Sequence, residues 1–279
     1  MEYKTLSNGN KMPMLGYGVF LVSPDECVRC VSDALEIGYR SIDTAQYYFN
    51  EAEVGKAIKD SGIKREDIFL TTKVWYSEHD REKCKASIYR SLEKLKTDYL
   101  DLCLIHHPVG DIYSAYRGLE DLYREGVIKN IGVSNFYPAL LVNICSFCEV
   151  KPVVNQIEVH PSFQQSDALI WAGKYGVAVE AWSPMGRGQD GLFDNPTLKA
   201  ISEKYGKSTA QIMLKWNIQR GVIVIPKSVR KERIKENFEL FDFTLSDEDM
   251  SLIATLDKGK SVFFDHRTPE TAERFIKKL

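Results

Sequence analysis

The sequence predicts an α/β fold, a (β/α)8 barrel with an N-terminal β-hairpin and an extra C-terminal helix. Two observations lead to this prediction: the chain has eight short segments rich in β-branched residues, and each is followed by a segment with helical periodicity. Alternating strands and helices form a parallel sheet, and with eight repeats such a sheet closes into a barrel. No repeat or linker divides the 279 residues, so we expect one domain over residues 1–279.

The chain begins with a predicted hairpin, with strands at residues 3–6 and 11–14. Its turn is Ser7-Asn8-Gly9-Asn10, and Asn-Gly pairs favour tight hairpin turns. The first barrel strand follows within residues 15–20. An open doubly wound sheet, the alternative fold, would carry a glycine-rich fingerprint in its first turn. Gly16 and Gly18 lack the third glycine of that fingerprint, which favours the barrel.

The remaining strands are short apolar runs, and the helices between them begin at capping residues or proline and often end at glycine. The strands are predicted at residues 41–43, 68–74, 100–105, 130–133, 153–159, 177–182 and 222–225. The helices are predicted at residues 23–37, 51–61, 81–95, 112–125, 138–148, 166–175, 197–205, 209–219, 231–237 and 246–255, followed by an irregular tail. Asn50 is predicted to cap the second helix, which carries Glu51 and Glu53 in its first turn.

Composition indicates an ordinary soluble globular protein, with 44% hydrophobic and 27% charged residues. A net charge of −2 argues against binding to nucleic acid or to a membrane surface. No apolar run approaches the roughly 18 residues of a membrane span, and the N-terminus lacks the apolar region of a signal peptide. We therefore expect a cytoplasmic enzyme, acting as a monomer.

The six cysteines include two C-x-x-C pairs, Cys27/Cys30 and Cys145/Cys148. Zinc ribbons usually separate two such pairs by about 15–20 residues, and these pairs lie much further apart. Both occur in helical segments, where a spacing of three places two small apolar side chains on one face. We expect free, buried thiols rather than metal or redox use, and we predict no metal site.

Polar or aromatic side chains follow the carboxyl ends of seven predicted strands, and in a barrel these ends meet at the face that carries the active site. The residues are Asp43, Tyr48, Lys73, His106, His107, Ser134, Asn135, Gln156, Trp182, Ser183, Lys227 and Ser228. Each alone has an ordinary explanation: Lys73 as a solvated lysine, His106 as a core histidine, Trp182 as a packing residue. Their occurrence at one face favours an active site.

Four of these groups compose a proton-transfer site. An unperturbed tyrosine titrates near about 10, too high for an efficient acid at neutral pH. Lys73 is expected to lower the pKa of Tyr48, and Asp43 to hold the lysine charged. A histidine such as His106 can hydrogen-bond a carbonyl oxygen and so orient the carbon for attack. No activated nucleophile with a matching base is recognisable, and a hydride would have to come from a cofactor.

Six motifs in order along the chain resemble those of a known family. They are Asp43-Thr44-Ala45-Gln46-Tyr47-Tyr48 with Asn50-Glu51, Thr71-Thr72-Lys73-Val74-Trp75, Asp101-Leu102-Cys103-Leu104-Ile105-His106, Ile131-Gly132-Val133-Ser134-Asn135-Phe136, Asn155-Gln156-Ile157-Glu158-Val159-His160-Pro161 and Ile225-Pro226-Lys227-Ser228. With them the chain resembles the aldo-keto reductases from end to end. The resemblance implies NADPH-dependent reduction of aldehydes or ketones, with Asp43, Tyr48, Lys73 and His106 as the catalytic tetrad and Tyr48 as general acid.

The same resemblance implies a set of residues that bind NADPH. Ser134, Asn135 and Gln156 would hold the nicotinamide carboxamide, and Trp182 would stack under the nicotinamide where many members have tyrosine. Lys227, Ser228 and Arg233 would hold the ribose 2′-phosphate, with Glu236 and Asn237 at the adenine. The remaining cofactor residues implied are Gly18, Asp43, Ser183, Met185, Gly186, Pro226, Val229 and Arg230.

The distribution of charge independently supports the predicted binding of the ribose 2′-phosphate. Residues 227–235 contain five cations in nine positions of a chain whose net charge is negative. A cation cluster near a helix N-terminus suits a phosphate, and this favours NADPH over NADH. An ordinary solvated helix face is the alternative.

The predicted substrate pocket is mostly aromatic, which suits small aldehydes and ketones better than phosphorylated sugars. Its residues are Phe20, Tyr48, Phe49, Trp75, His106 and His107, with Phe263 or Phe264 from the tail. Phe20 and His107 stand where the family commonly has tryptophan. A brief tail leads us to expect an open pocket, and the overall pattern is similar to that of bacterial reductases of dicarbonyls and keto-sugar acids.

Two other functions stay open from the sequence. A barrel could bind the nicotinamide cofactor as a regulatory sensor without turnover, although the intact tetrad argues against this. A cofactor-free isomerase or aldolase could use Lys73 to form an imine with its substrate.

Overall fold

A parallel sheet of eight strands forms the centre of the computed structural model, which describes residues 1–277. The strands are β3 (Tyr17–Gly18), β4 (Ser41–Asp43), β5 (Phe69–Val74), β6 (Leu102–Ile105), β7 (Ile131–Ser134), β8 (Val154–Glu158), β9 (Ala178–Trp182) and β10 (Ile223–Val224). Each strand pairs in parallel with the next in chain order. The sheet closes because Gly16 N donates to Val224 O over 2.8 Å and Val224 N donates to Met14 O over 3.0 Å. The predicted barrel is confirmed.

A separate antiparallel hairpin precedes the barrel, as predicted. Its strands are β1 (Tyr3–Thr5) and β2 (Lys11–Pro13), paired with Lys4 opposite Met12. The turn between them contains Gly9, whose φ of 89° is readily reached only by glycine. Asn8 and Asn10 each donate through Nδ2 to Asn130 Oδ1. These bonds fix the hairpin against the start of β7.

Helices follow the strands in the predicted alternation. They are α1 (Pro24–Ile37), α2 (Glu51–Asp60), α3 (Arg81–Leu95), α4 (Ile112–Arg124), α5 (Pro138–Phe147), α6 (Ser166–Lys174), α7 (Pro196–Tyr205), α8 (Thr209–Gln219), α9 (Lys231–Phe238), α10 (Asp247–Ala254) and α11 (Pro269–Ile276). Buried apolar side chains of the strands and of the inner helix faces form one continuous core. Within the described residues no helix is both long enough and apolar enough to cross a membrane.

Gly132 in β7 shows why the chain needs a glycine inside the barrel. A Cβ atom there would lie 2.5 Å from Leu104 Cδ2 and 2.8 Å from Val154 O. Both distances are shorter than real carbon contacts, so any larger residue would force neighbouring strands apart. The glycine therefore sets how closely β6, β7 and β8 approach beneath the active face.

The predicted helix cap at Asn50 has a different role. Asn50 does precede α2, but its side chain makes no capping hydrogen bond. Its Nδ2 donates to Val19 O and Val22 O, and its Oδ1 accepts from Thr44 Oγ1. All three bonds are buried, and the two to Val19 and Val22 are long-range, so Asn50 joins the loop after β3 to the loop after β4.

The predicted irregular tail is wrong for residues 269–276, which form α11. Thr268 caps this helix by accepting a hydrogen bond from Thr271 N, and Pro269 occupies its first turn. The segment before it is tied to β8, because Ser261 Oγ and Val262 N both donate to the buried Glu158 carboxylate, over 2.5 and 3.1 Å. The tail is thereby brought back over the carboxyl ends of the strands.

The six thiols are free in this structure. Five are buried and Cys148 is half-buried. Burial raises the pKa of the Cys27 and Cys84 thiols to about 12, which suppresses the reactive thiolate. Within residues 1–277 no group of three or more His, Cys, Asp or Glu side chains is arranged to hold a metal ion.

Candidate active site

A cavity of about 860 Å³ opens at the carboxyl ends of the barrel strands. Most of the site residues predicted from the sequence line it. They are Gly18, Phe20, Asp43, Tyr48, Trp75, His106, His107, Ser134, Asn135, Gln156, Trp182, Ser183, Met185, Pro226, Lys227, Ser228, Arg233, Glu236 and Asn237, together with Phe263 and Phe264. Lys73 lies directly beneath it, fully buried. The strand ends thus do converge on one concave site.

Besides Lys73, four predicted residues lie outside the cavity lining: Phe49, Gly186, Val229 and Arg230. Phe49 departs most from expectation, since its side chain is 75% exposed. It ends the 3-10 turn of residues 46–48 with a left-handed backbone, φ 55°, and its neighbour Tyr47 faces the cavity in its place. Tyr47 stacks on Trp75 with ring centroids 3.9 Å apart.

Three of the four predicted catalytic groups meet around the Lys73 ammonium. Lys73 projects from β5, Asp43 ends β4, and Tyr48 ends the 3-10 turn that follows. Lys73 Nζ donates to Asp43 Oδ1 over 2.6 Å, to Thr44 O over 2.9 Å and to Tyr48 Oη over 3.3 Å. All three ammonium hydrogens therefore have acceptors, which fixes the lysine in one position.

Burial and neighbouring charges act in opposite directions on the pKa values of Lys73 and Tyr48. Burial alone would lower the pKa of Lys73, but the charge and hydrogen bond of Asp43, together with Tyr48 and Glu180, outweigh burial and leave that pKa raised. The lysine is therefore charged at neutral pH. For Tyr48, burial raises the pKa of the phenol to about 12, although the Lys73 charge acts to lower it. Lys73 therefore acts on the pKa of Tyr48 in the expected direction, but desolvation exceeds this effect and leaves the phenol a weaker acid than usual.

His106, the fourth predicted group, follows β6 and faces Tyr48 edge-on, with ring centroids 5.7 Å apart. Burial, then the neighbouring His107 ring and the Lys73 charge, hold the pKa of His106 well below its usual range. The imidazole is thus neutral at pH 7 and offers one N–H donor. Its Nδ1 has no hydrogen-bond partner in the described part of the chain.

Polar side chains at the ends of β7, β8 and β9 surround these groups. Asn135 Nδ2 donates to His106 O over 3.1 Å, and Trp182 Nε1 donates to Asn135 Oδ1 over 2.8 Å. Ser134 Oγ donates to Gln156 O over 2.8 Å. Gln156 Nε2 donates to Asp43 Oδ2 over 2.9 Å. The ends of β7, β8 and β9 are therefore linked to the Asp43–Lys73 pair.

Glu180 is a buried member of this network that the sequence-based prediction missed. It projects from β9 with no exposed surface and accepts from Gln156 Nε2 over 2.7 Å. A signal was present in the sequence, because Glu180 is the single charged residue in the apolar run of residues 177–182. A charged side chain in such a strand is rarely accidental, given its burial cost.

The cations of residues 227–235 fall into two groups. Lys231 pairs with Asp33 and Glu36, and Lys235 pairs with Glu239, all on the surface. Lys227 and Arg233 instead line the cavity, and neither forms an ion pair within residues 1–277. Part of the charge run is therefore a solvated helix face, and part is available to an anion in the cavity.

The tail supplies a wall of the cavity that the sequence-based prediction named only in part. Phe264, Arg274 and Phe275 line it. His107 Nδ1 lies 3.0 Å from His266 Nε2, and the Phe275 ring lies 4.3 Å from the His107 ring. The expected open pocket is accordingly narrowed on this side by α11 and the segment before it.

Known proteins resemble this chain over most of its length. The model of the aldo/keto reductase family matches residues 14–258. Methylglyoxal reductase DkgA of Escherichia coli K12 is 44% identical over 258 residues, 91% of this chain and 93% of that protein. A glyoxal reductase of Bacillus subtilis is 47% identical over 259 residues, 92% and 93% of the two chains. A Bombyx mori aldo-keto reductase, solved by crystallography in complex with NADP, is 37% identical to this chain. The two structures superpose with a TM-score of 0.90 over 94% of this chain and 95% of that one.

Proposed function

This chain belongs to the aldo/keto reductase family, and we propose that it reduces small aldehydes and ketones to alcohols with NADPH. Dicarbonyls and keto-sugar acids are the substrates we favour. Relatives named for methylglyoxal and glyoxal, both small dicarbonyls, support this choice. The observation that carries the proposal is the geometry at Lys73, whose Nζ lies 2.6 Å from Asp43 Oδ1 and 3.3 Å from Tyr48 Oη.

The residues present fit NADPH at both ends of the cavity. At one end the cations Lys227 and Arg233 line the wall without carboxylate partners in the described chain, and they suit a phosphate. At the other end the Trp182 ring offers a flat apolar face, with Asn135 and Gln156 beside it. When bound, NADPH would supply the hydride. A relative solved with NADP supports the same assignment.

Tyr48 is the group that we assign as general acid. With its pKa raised to about 12 it is protonated throughout the neutral range, so it holds the proton that the carbonyl oxygen requires. Lys73 stabilises the phenolate left behind, because its ammonium lies within hydrogen-bond distance of Tyr48 Oη. Asp43 keeps that ammonium charged and in place.

His106 is assigned to orient the carbonyl. Its neutral ring provides an N–H donor without adding a positive charge beside Lys73. A hydrogen bond to the carbonyl oxygen would hold that oxygen close to the Tyr48 hydroxyl. The surrounding aromatic rings of Phe20 and Trp75 would exclude water from the reacting carbonyl.

The direct test follows NADPH absorbance while methylglyoxal or an aromatic aldehyde is added to the purified protein. Carbonyl-dependent oxidation of NADPH is expected. Tight NADPH binding without oxidation would instead indicate a sensor. Activity without nucleotide, with an imine trapped by borohydride, would assign Lys73 to an aldolase or isomerase. We further propose a single-domain monomer, which sedimentation of the active protein would test.

A further inference from the structure

Glu180 occupies the centre of the barrel beneath the proposed active site. In register it lies opposite Gln156 of β8 and Ile223 of β10. Its side chain is completely buried, and its Oε1 has no hydrogen-bond partner in the described part of the chain. An ionised carboxylate in this position would be costly, since one oxygen is left without a donor.

Gln156 joins Glu180 to the catalytic groups. Its Nε2 donates to Asp43 Oδ2 over 2.9 Å and to Glu180 Oε2 over 2.7 Å. Both amide hydrogens are used in these two bonds, so the amide cannot rotate without losing them. The Oε1 of Gln156 is then left as an acceptor for a group in the cavity that Gln156 lines. Glu180 thus helps to set which face of this amide a ligand meets.

We propose that Glu180 is a positioning residue whose loss of a proton sets the upper pH limit of the reduction. When Glu180 is neutral, it holds Gln156 in place, and Lys73 faces one ionised carboxylate, that of Asp43. When Glu180 is ionised, it adds a second negative charge beside the Asp43–Lys73 pair and makes the Tyr48 phenol harder to deprotonate. The proton leaves to solvent, and no other bond changes. This inference rests on the proposed function for its kinetic consequence.

The charges around Glu180 agree with this geometry. Burial, and then the negative charge of Asp43, raise the pKa of Glu180 to about 8, while the Gln156 hydrogen bond and the Lys73 ammonium oppose the rise. The charged groups facing it are Asp43 from β4 and Lys73 from β5, and its neighbours on β8 and β10 in the register are the uncharged Gln156 and Ile223. The ionised carboxylate of Glu180 also contributes to the raised pKa of Tyr48.

Glu180→Gln is the discriminating variant, because glutamine has the shape of the neutral acid and cannot ionise. We expect the wild-type kcat to be level near neutral pH and to fall above about pH 8 to a lower level. The variant should keep kcat within about threefold of wild type at pH 7 and stay level to about pH 10. An equal fall in both proteins would overturn the inference.

Glu158→Gln serves as the matched control, since Glu158 is also a buried glutamate but lies on β8 outside this network, bonded to the tail. It should retain the wild-type fall in kcat above about pH 8. A level profile in this variant would mean that buried glutamates in general, rather than Glu180, shape the profile. Thermal melting of each variant confirms that it is folded.

Infrared spectroscopy of the NADPH-bound protein gives a readout that does not depend on turnover. Wild type should lose the carbonyl band of a neutral carboxylic acid between about pH 7 and pH 10, and Glu180→Gln should show no such loss. If wild type reduced no carbonyl compound, the proposed function would fail, and this band would still decide the state of Glu180. An ionised Glu180 at pH 7 would overturn the inference.

Discussion

Two regions of the cavity are built in different ways. The catalytic floor, defined as Asp43, Tyr48, Lys73, His106 and Gln156, stands on barrel strands or in the short segments after them. Hydrogen bonds of 2.6–3.3 Å join all of these residues except His106, which packs edge-on against Tyr48. The aromatic rim consists of Tyr47, Trp75, His107, His266 and Phe275, which come from loops and the tail.

The rim is held mainly by contacts between rings. Its ring centroids lie 3.9–5.8 Å apart in the stacked pairs, and within residues 1–277 the one hydrogen bond between two rim side chains joins His107 to His266. Ring contacts tolerate small displacements, whereas a hydrogen-bonded ammonium with three acceptors does not. We therefore expect the floor to determine the chemistry and the rim to determine which substrates reach it.

The largest expected effect comes from replacing Tyr48, the proposed general acid. Tyr48→Phe keeps the ring but has no proton to donate, so kcat should fall by about 10²–10⁴-fold. The dissociation constant of NADPH should stay nearly unchanged, since no cofactor charge is touched. Steady-state kinetics and fluorescence titration measure the two quantities. A wild-type kcat would remove Tyr48 from its assigned role.

A substitution at the proposed phosphate-binding end of the cavity tests whether the protein prefers NADPH to NADH. Arg233→Ala should weaken NADPH binding by about 10–100-fold, the range for a hydrogen bond to a charged group. NADH binding should change much less, because it lacks the 2′-phosphate. Lys235→Ala, which removes a surface cation paired with Glu239, is the matched control. Equal losses for both cofactors in Arg233→Ala would make the cation an ordinary surface charge.

A change in the rim should act on substrate affinity and spare the chemical step. Phe275→Ala removes a ring that packs against His107 and Tyr76, and such contacts are worth about 0.5–1.5 kcal/mol. The KM for an aromatic aldehyde should therefore rise by up to about tenfold, with kcat within about twofold of wild type. A larger loss in kcat than in KM would show that the rim also supports the floor.

The smallest effect concerns the attachment of the tail at low pH. Burial lowers the pKa of His266 to about 4, with Asp265 opposing the shift, whereas a free histidine titrates near about 6.5. The docked tail therefore binds fewer protons than the released tail between these values, so docking is strongest above about pH 6.5 and weakens as pH falls. Hydrogen exchange of residues 261–277 at about pH 7 and pH 5 measures this, after correction for the intrinsic exchange rate. His266→Phe should reduce the difference, and an unchanged difference would assign it to another group.

The floor could be predicted from the sequence because each of its groups stands on a recognisable strand or in the short segment after one. Asp43 ends one predicted strand and His106 directly follows another, so in a parallel barrel their side chains must share a face. The predicted strand and helix ends agree with the structure to within two residues. Local patterning therefore sufficed for the barrel and for the floor, but Glu180 of β9 was missed.

The rim could not be predicted in the same way. His107 and His266 are separated by 159 positions, and no local pattern specifies that they meet. The helix α11 did have a signal, since Thr268 followed by Pro269 is a typical helix start. The pKa of Tyr48 could not be predicted either, because the burial that dominates it depends on the folded surroundings.

The buried thiols make it possible to measure how often each part of this protein unfolds locally. An alkylating reagent attacks thiolates, and in the closed barrel five of the six sulfurs are buried. Modification should consequently proceed only in molecules that have transiently unfolded around them. Mass spectrometry after a short pulse of reagent would order the helices by how often each one detaches, beginning with α5, which precedes the partly accessible Cys148.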